Sequence, residues 1–171
     1  MKILYPRWVL LERIRDLAFT HIKRAYGCDL PLFVVVMNGA KPFADELLSH
    51  FESPDVVQIR CRSYVGTQSQ TLEVEELPIE QRARFWGREV LILEDIVDTG
   101  KTMIGLFAEL KEWGAKDVRA VALLRRFSAP RLRAILATGF TVPNDAFVIG
   151  FGLDYNGQHR ELPDIRKLEK P

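Results

Sequence analysis

Three strand-length stretches carry almost no polar residue, and helical patterns stand between them. Leu32–Met37 reads Leu-Phe-Val-Val-Val-Met, Glu89–Leu93 is apolar after its first residue, and Ala120–Leu124 is Ala-Val-Ala-Leu-Leu. A strand that faces water on one side alternates polar with apolar residues, so runs without alternation must be covered on both faces by helices. The covering material is legible. From Trp8 to Tyr26, Leu10, Leu11, Ile14, Leu17, Ala18, Ile22 and Ala25 recur at helical spacing. A second helix is expected from about Pro42 to Phe51, a short one near Ile79–Trp86, and another opening at Gly100 with Met103, Leu106, Phe107, Leu110 and Trp113 on one face. Val56–Tyr64 reads as a further strand and Phe147–Leu153 as the last one, while the charged tail from Asp164 is expected to fray. Strands alternating with helices define the α/β class: an open, mainly parallel twisted sheet flanked by helices, with its ligand sites at the carboxyl ends of the strands.

The 171 residues fit a single domain spanning 1–171. Twenty-four basic against 23 acidic residues leave a formal charge of +1, which argues against nucleic acid or an anionic membrane surface as partner. An anionic ligand must therefore be met locally. No apolar run approaches the roughly 20 residues a membrane span needs. Cys28 and Cys61 have no metal-ligand spacing and are too few for a disulfide framework, so a cytoplasmic protein is expected.

The most informative segment is Val90-Leu-Ile-Leu-Glu94-Asp95-Ile-Val-Asp98-Thr99-Gly100-Lys101-Thr102. A buried strand ends in two adjacent acids and passes through a hydroxyl- and glycine-rich turn into a helix. Unpaired N–H groups at a helix start, with Thr99, Thr102 and the permissive Gly100, can cradle a phosphate. Glu94 and Asp95 would repel that phosphate unless they face sugar hydroxyls or a bridging Mg²⁺. One ligand carries a phosphate, a hydroxylated sugar and a metal-binding pyrophosphate together: phosphoribosyl pyrophosphate. An acidic helix cap without a ligand would explain Asp98 and leave Glu94 and Asp95 unexplained. A P-loop fails because Asp95 stands where its first glycine belongs, and no G-x-G-x-x-G follows any expected strand.

This segment resembles the phosphoribosyl-pyrophosphate signature of type I phosphoribosyltransferases, and the rest of the chain resembles their hypoxanthine-guanine branch from about residue 30 onward. Residues 1–30 add nothing specific to that family. Met37-Asn38-Gly39-Ala40-Lys41 is similar to the family's pyrophosphate loop, often Leu-Lys-Gly-Gly with a non-proline cis peptide, with Asn38 in place of the usual cation. Arg62-Ser63-Tyr64, opening a polar arm to Leu77, resembles the mobile loop whose Ser-Tyr pair closes over the reacting centre. Phe147-Val-Ile-Gly-Phe-Gly-Leu-Asp154-Tyr, followed by Arg160-Glu-Leu, resembles the carboxyl-terminal block of the 6-oxopurine enzymes. Leu123-Leu124-Arg125-Arg126 is similar to Leu-Leu-x-Lys, with Arg126 in the lysine's place, although a solvated arginine pair reads the same.

The resemblance implies the type I fold with a mobile hairpin loop and a small hood, and it implies roles. Glu94, Asp95, Asp98, Thr99, Gly100, Lys101 and Thr102 would bind phosphoribosyl pyrophosphate. Asn38, Gly39 and Arg160 would hold pyrophosphate, with Arg131 a companion near the phosphate region. Arg126, Phe147, Val148 and Asp154 would form the base site, Glu94, Asp95 and Asp154 would serve Mg²⁺, and Asp98 would act as general base. The implied reaction is purine salvage, with hypoxanthine or guanine giving IMP or GMP plus pyrophosphate. Asn38 and Arg126 keep a xanthine-preferring enzyme open, and a weakly catalytic phosphoribosyl-pyrophosphate-binding regulator is the remaining alternative. A homodimer or homotetramer is expected, with Trp8, Phe43 and Trp113 as apolar interface candidates.

Overall fold

The computed structural model describes residues 1–65 and 70–168, and for 62–65 and 70–72 the backbone alone. Along the chain run β1 (Lys2–Tyr5), α1 (Arg7–Asp16), a π-helical segment (Leu17–Ile22), α2 (Lys23–Tyr26), β2 (Leu32–Met37), α3 (Lys41–Leu48), β3 (Val56–Val65), β4 (Gln70–Val74) and α4 (Ile79–Ala83). There follow β5 (Glu89–Val97), α5 (Lys101–Glu112), β6 (Asp117–Arg126), β7 (Ile135–Val142), β8 (Phe147–Ile149) and β9 (Ile165–Leu168).

The central sheet has the order β4-β3-β2-β5-β6-β7. All neighbours are parallel except the β3–β4 hairpin. The period of two along each strand sorts the apolar side chains between two cores. Phe33, Val35, Leu91, Leu93, Val121 and Leu123 pack with Leu10, Ile14, Phe43 and Leu47 of α1 and α3. Leu32, Val34, Val36, Val90, Ile92, Ala120 and Ala122 pack on the other face with Phe85 and with Met103, Leu106 and Leu110 of α5. Each large side chain fully buried this way contributes roughly 1.5–3 kcal/mol. The expected open, mainly parallel sheet with helices on both faces is what forms.

From β2 the chain winds one way, to β3. From β5 it winds the other way, through β6 to β7. The winding direction thus reverses between β2 and β5, and the carboxyl ends of those two strands flank a crevice where an open α/β sheet takes its ligand.

The small hood is a three-stranded antiparallel sheet in the order β1-β9-β8. Tyr5 fastens it to the main sheet: its ring stacks on Phe140 at 4.2 Å, and its hydroxyl donates to the Thr141 carbonyl at 3.0 Å. Arg13 of α1 donates to the carbonyls of Gly139 and Thr138, each at 3.0 Å.

Several expectations need correction. The tail does not fray at Asp164, because Ile165–Leu168 pairs with both β1 and β8. Phe147–Leu153 is not one strand. β8 ends at Ile149, and Gly150, Phe151 and Gly152 all take positive φ as the chain reverses. The polar stretch after β6 contains an unanticipated strand, β7, and the first helix is interrupted by its π-helical segment. Of the three interface candidates, Phe43 is fully buried and Trp113 packs edge-on against Phe85 at 5.2 Å, so only Trp8, at 69% exposure, is open on the surface.

Candidate active site

Two strand ends meet at the reversal point. β2 ends at Met37, whose peptide bond to Asn38 is cis. β5 carries Glu94 and Asp95 at its carboxyl end. The approach is close enough to require glycine: a Cβ on Gly39 would stand 1.7 Å from Asp95 Oδ2. A third segment closes on the same point, since a Cβ on Gly152 would fall 2.0 Å from the Gly39 carbonyl oxygen. The loop after β2, the acids of β5 and the turn after β8 are therefore packed at van der Waals contact.

The two acids differ in environment. Glu94 is 5% exposed, and burial first, then the adjacent Asp95 charge, push its carboxyl well above the usual carboxylate range. It accepts the Asp95 backbone N–H at 3.1 Å, while Asp95 Oδ1 accepts the Ile96 N–H at 2.7 Å. Asp95 is half-buried, so it is the more accessible of the two carboxylates.

Beyond Asp95 the strand gives way to the turn predicted to cradle phosphate. Gly100 takes φ +78° and caps α5, whose first N–H groups have no partner within the helix. Thr99 and Lys101 lie exposed beside it, Thr102 is half-buried, and the Lys101 N–H points to Thr99 Oγ1 at 3.4 Å. Pro130 packs against Gly100, which puts exposed Arg131, the next residue, at the edge of this turn. The Asp98 carboxylate is 62% exposed and lies 3.4 Å from Nε of Arg126, a side chain only 12% exposed. Arg126 Nη1 donates to the Pro143 carbonyl at 2.9 Å and also to that of Ala146.

On the hood side, Phe147 is 40% exposed and meets Tyr155 edge-on at 5.1 Å, whereas Val148 is buried. Asp154 and Arg160 form an ion pair at 2.5 Å. Arg160 Nη1 also donates to the Gly152 carbonyl at 2.6 Å, and Asp154 Oδ2 accepts the Gly157 N–H at 2.7 Å. Asn38 is exposed beside this cluster. The side chains of Ser63 and Tyr64 lie outside the described residues, and so does the loop at 66–69; their backbone places them on β3, with Tyr64 opposite Thr71.

Among the described residues no three His, Cys, Asp or Glu side chains gather into a metal cage. Asp95, with Glu94 behind it, and Asp154 are separate oxygen donors. Such a set suits a hard cation that takes most of its ligands from phosphates, sugar hydroxyls and water. Sequence reasoning found the acids and both arginines but not their pairing. Asp98–Arg126 and Asp154–Arg160 are tertiary contacts with no spacing signature, and the Pro143 and Ala146 carbonyls carry no signal at all.

An exposed helix start beside two acids, at the reversal point of an open α/β sheet, is a class of site that can meet an anionic group and hydroxyls side by side. Comparison with known proteins narrows that class. The family model "Phosphoribosyl transferase domain" matches residues 7–156. The hypoxanthine-guanine phosphoribosyltransferase of Lactococcus lactis is 34% identical over 98% of this chain and 91% of its own length. The bifunctional protein TilS/HprT of Listeria innocua is 37% identical over 98% of this chain, which spans only 26% of that longer protein. A solved hypoxanthine-guanine-xanthine phosphoribosyltransferase superposes with a TM-score of 0.80 at 26% identity, covering 99% of this chain and 98% of that one. The chain belongs to the hypoxanthine-guanine phosphoribosyltransferase family.

Proposed function

We propose that this chain performs purine salvage, transferring the 5-phosphoribosyl group of phosphoribosyl pyrophosphate to hypoxanthine or guanine to give IMP or GMP and pyrophosphate. The observation that carries the reading is the packing of Asp95 against the Gly39 loop, one turn from the Gly100 cradle, at the reversal of the sheet. There the N–H groups of residues 99–102, with Thr99, Thr102 and Lys101, take the 5′-phosphate. Asp95, backed by Glu94, meets the ribose hydroxyls. Backbone at Asn38 and Gly39 and the fork of Arg160 hold pyrophosphate.

The base stacks on Phe147, backbone groups of Val148 meet its edge, and Arg126 donates to its 6-oxo group. Asp98 accepts a proton from the imidazole edge of the purine as the ring nitrogen bonds to the ribosyl carbon. The bond from that carbon to the pyrophosphate oxygen breaks at the same centre, and pyrophosphate leaves with the electron pair. Glu94, Asp95 and Asp154 would hold Mg²⁺, which would supply positive charge beside the pyrophosphate as it leaves. The enzyme works in the cytoplasm as a homodimer or homotetramer, and exposed Trp8 is the first candidate for its interface. No helix among the described residues is long and apolar enough to cross a membrane.

Arg126 favours a second reading, preference for xanthine. Its Nε and Nη1 are committed to protein partners, which leaves Nη2 to meet the base. The deciding measurement is pyrophosphate release with Mg²⁺ and phosphoribosyl pyrophosphate, offering hypoxanthine, guanine, xanthine, adenine and no base in parallel. Turnover with hypoxanthine or guanine supports the proposal, and turnover with xanthine alone moves the specificity. Tight phosphoribosyl-pyrophosphate binding without turnover on any base would make the chain a regulator. Asp98→Asn with full turnover and intact binding would remove Asp98 as the base.

A further inference from the structure

We infer that Arg126 is a positioning residue for Asp98, holding the proton-accepting carboxylate in place while it is itself fixed to the segment that leads into the base site. The inference rests on the reading of Asp98 as general base. Asp98 projects from an exposed turn, and an exposed carboxylate has several rotamers available, of which few reach a given ring proton. Arg126 is the opposite case, 12% exposed and tied by Nη1 to the Pro143 and Ala146 carbonyls, immediately before Phe147.

A guanidinium has five N–H groups in a rigid plane. Both Nη1 hydrogens go to those two carbonyls, and the Nε side faces Asp98 Oδ1 at 3.4 Å. The two Nη2 hydrogens are left over. Because the plane is rigid, fixing Nη1 fixes the direction from which Nε presents its charge to Asp98. The distance between the proton acceptor and the ring edge is thereby set by one side chain spanning β6, the turn after β5 and the approach to β8. A lysine restores the charge but has one nitrogen and no plane, so it cannot hold both carbonyls and Asp98 together.

The test is a double-mutant cycle on kcat in the full chain, using Arg126→Gln, Arg126→Lys, Asp98→Asn and the doubles, with hypoxanthine, Mg²⁺ and saturating phosphoribosyl pyrophosphate. Thermal unfolding of every variant is measured alongside. Arg126→Gln is expected to lower kcat by about tenfold or more in the native background and by a several-fold smaller factor in the Asp98→Asn background, where its action through Asp98 is already removed and only its own contact with the base remains to be lost. Arg126→Lys is expected to recover part of the loss. A structural or purely base-binding role lowers turnover by the same factor in both backgrounds, and that result overturns the inference while leaving Asp98 as base. Full turnover of Asp98→Asn overturns both together. If Arg126→Gln does not fold, Arg126→Lys carries the cycle, and its smaller loss of kcat must shrink in the Asp98→Asn background; an equal loss in both backgrounds overturns the inference.

Discussion

Replacing Gly39 by alanine separates the geometry of the reversal point from its stability. Gly39 is not among the glycines with positive φ, so alanine adds no backbone strain, and the whole effect comes from the new methyl group. That methyl would stand 1.7 Å from Asp95 Oδ2 and 2.8 Å from its Cγ. The obstruction is the end of a side chain, so Asp95 can swing away, by about 1.8 Å if the oxygen is to reach an ordinary contact of about 3.5 Å. Swinging costs Asp95 the 2.7 Å bond from the Ile96 N–H. A hydrogen bond to a charged group is worth roughly 1.5–3 kcal/mol, and a half-buried one belongs at the lower end. At about 2–4 °C per kcal/mol for a chain of this size, Tm should fall by roughly 3–6 °C. Activity should fall further. A misplacement of about 1 Å at a reacting centre costs on the order of 100-fold, so kcat/KM for phosphoribosyl pyrophosphate, read by pyrophosphate release, should drop by about that factor. In an Asp95→Ala background the obstruction is gone, and Gly39→Ala should then change Tm by less than about 1 °C. Native kcat/KM in Gly39→Ala, or an undiminished Tm loss in the double variant, would refute the argument that this glycine exists to seat Asp95.

Two further outcomes follow from groups outside the crevice. Asp55 lies between Arg88, at 2.6 Å, and Arg84, and the Arg88 hydrogen bond, aided by Arg84, holds its carboxyl below the usual value. A depressed folded-state value stabilises above the unfolded value of about 3.9 and is lost as pH falls through the folded one. Asp55→Asn should therefore cost about 0.5–1 kcal/mol near pH 7, reduced by solvent screening, and progressively less as pH falls through the depressed folded-state value, as read in denaturant titrations. Cys28 is exposed, whereas burial pushes the Cys61 thiol up to about 12, with Glu94 adding to it. A maleimide at neutral pH should label Cys28 quickly and Cys61 only on unfolding, as mass spectrometry of the digested protein would show; equal labelling of both in the folded chain would contradict the burial.

Which parts of the fold were legible follows from where their signals lie. β2, β5 and β6 are buried on both faces and had to be written in apolar residues. Of the hood strands, β8 lay within the strand expected from Phe147, whereas β1 and β9 were not readable. β9 is Ile-Arg-Lys-Leu and partly exposed, and its partners are a strand at the other end of the chain and the three-residue β8. Pairing supplies what composition does not. β7 carries Gly139 and two threonines and shows no apolar run, yet a Cβ at Gly139 would fall 2.5 Å from the Leu123 carbonyl oxygen, so this glycine is a packing requirement between adjacent strands.

The same distinction runs through the site. Glu94, Asp95 and the turn from Asp98 to Thr102 sit consecutively on one strand-to-helix connection, so local geometry alone brings them together and their chemistry could be read in a line. The contacts that give those residues direction join segments far apart in sequence: Gly39 to Asp95, Asp98 to Arg126, and Gly152 to Gly39. The reversal of winding between β2 and β5 puts the loop after β2 beside the acids of β5, and the parallel pairing of β5 with β6 puts Arg126 beside Asp98. Topology therefore does the work that a contiguous motif does elsewhere. Arg126, which in sequence reads equally as one of a solvated arginine pair, gains its direction from the strand end on which it stands and from the exposed carboxylate 3.4 Å away.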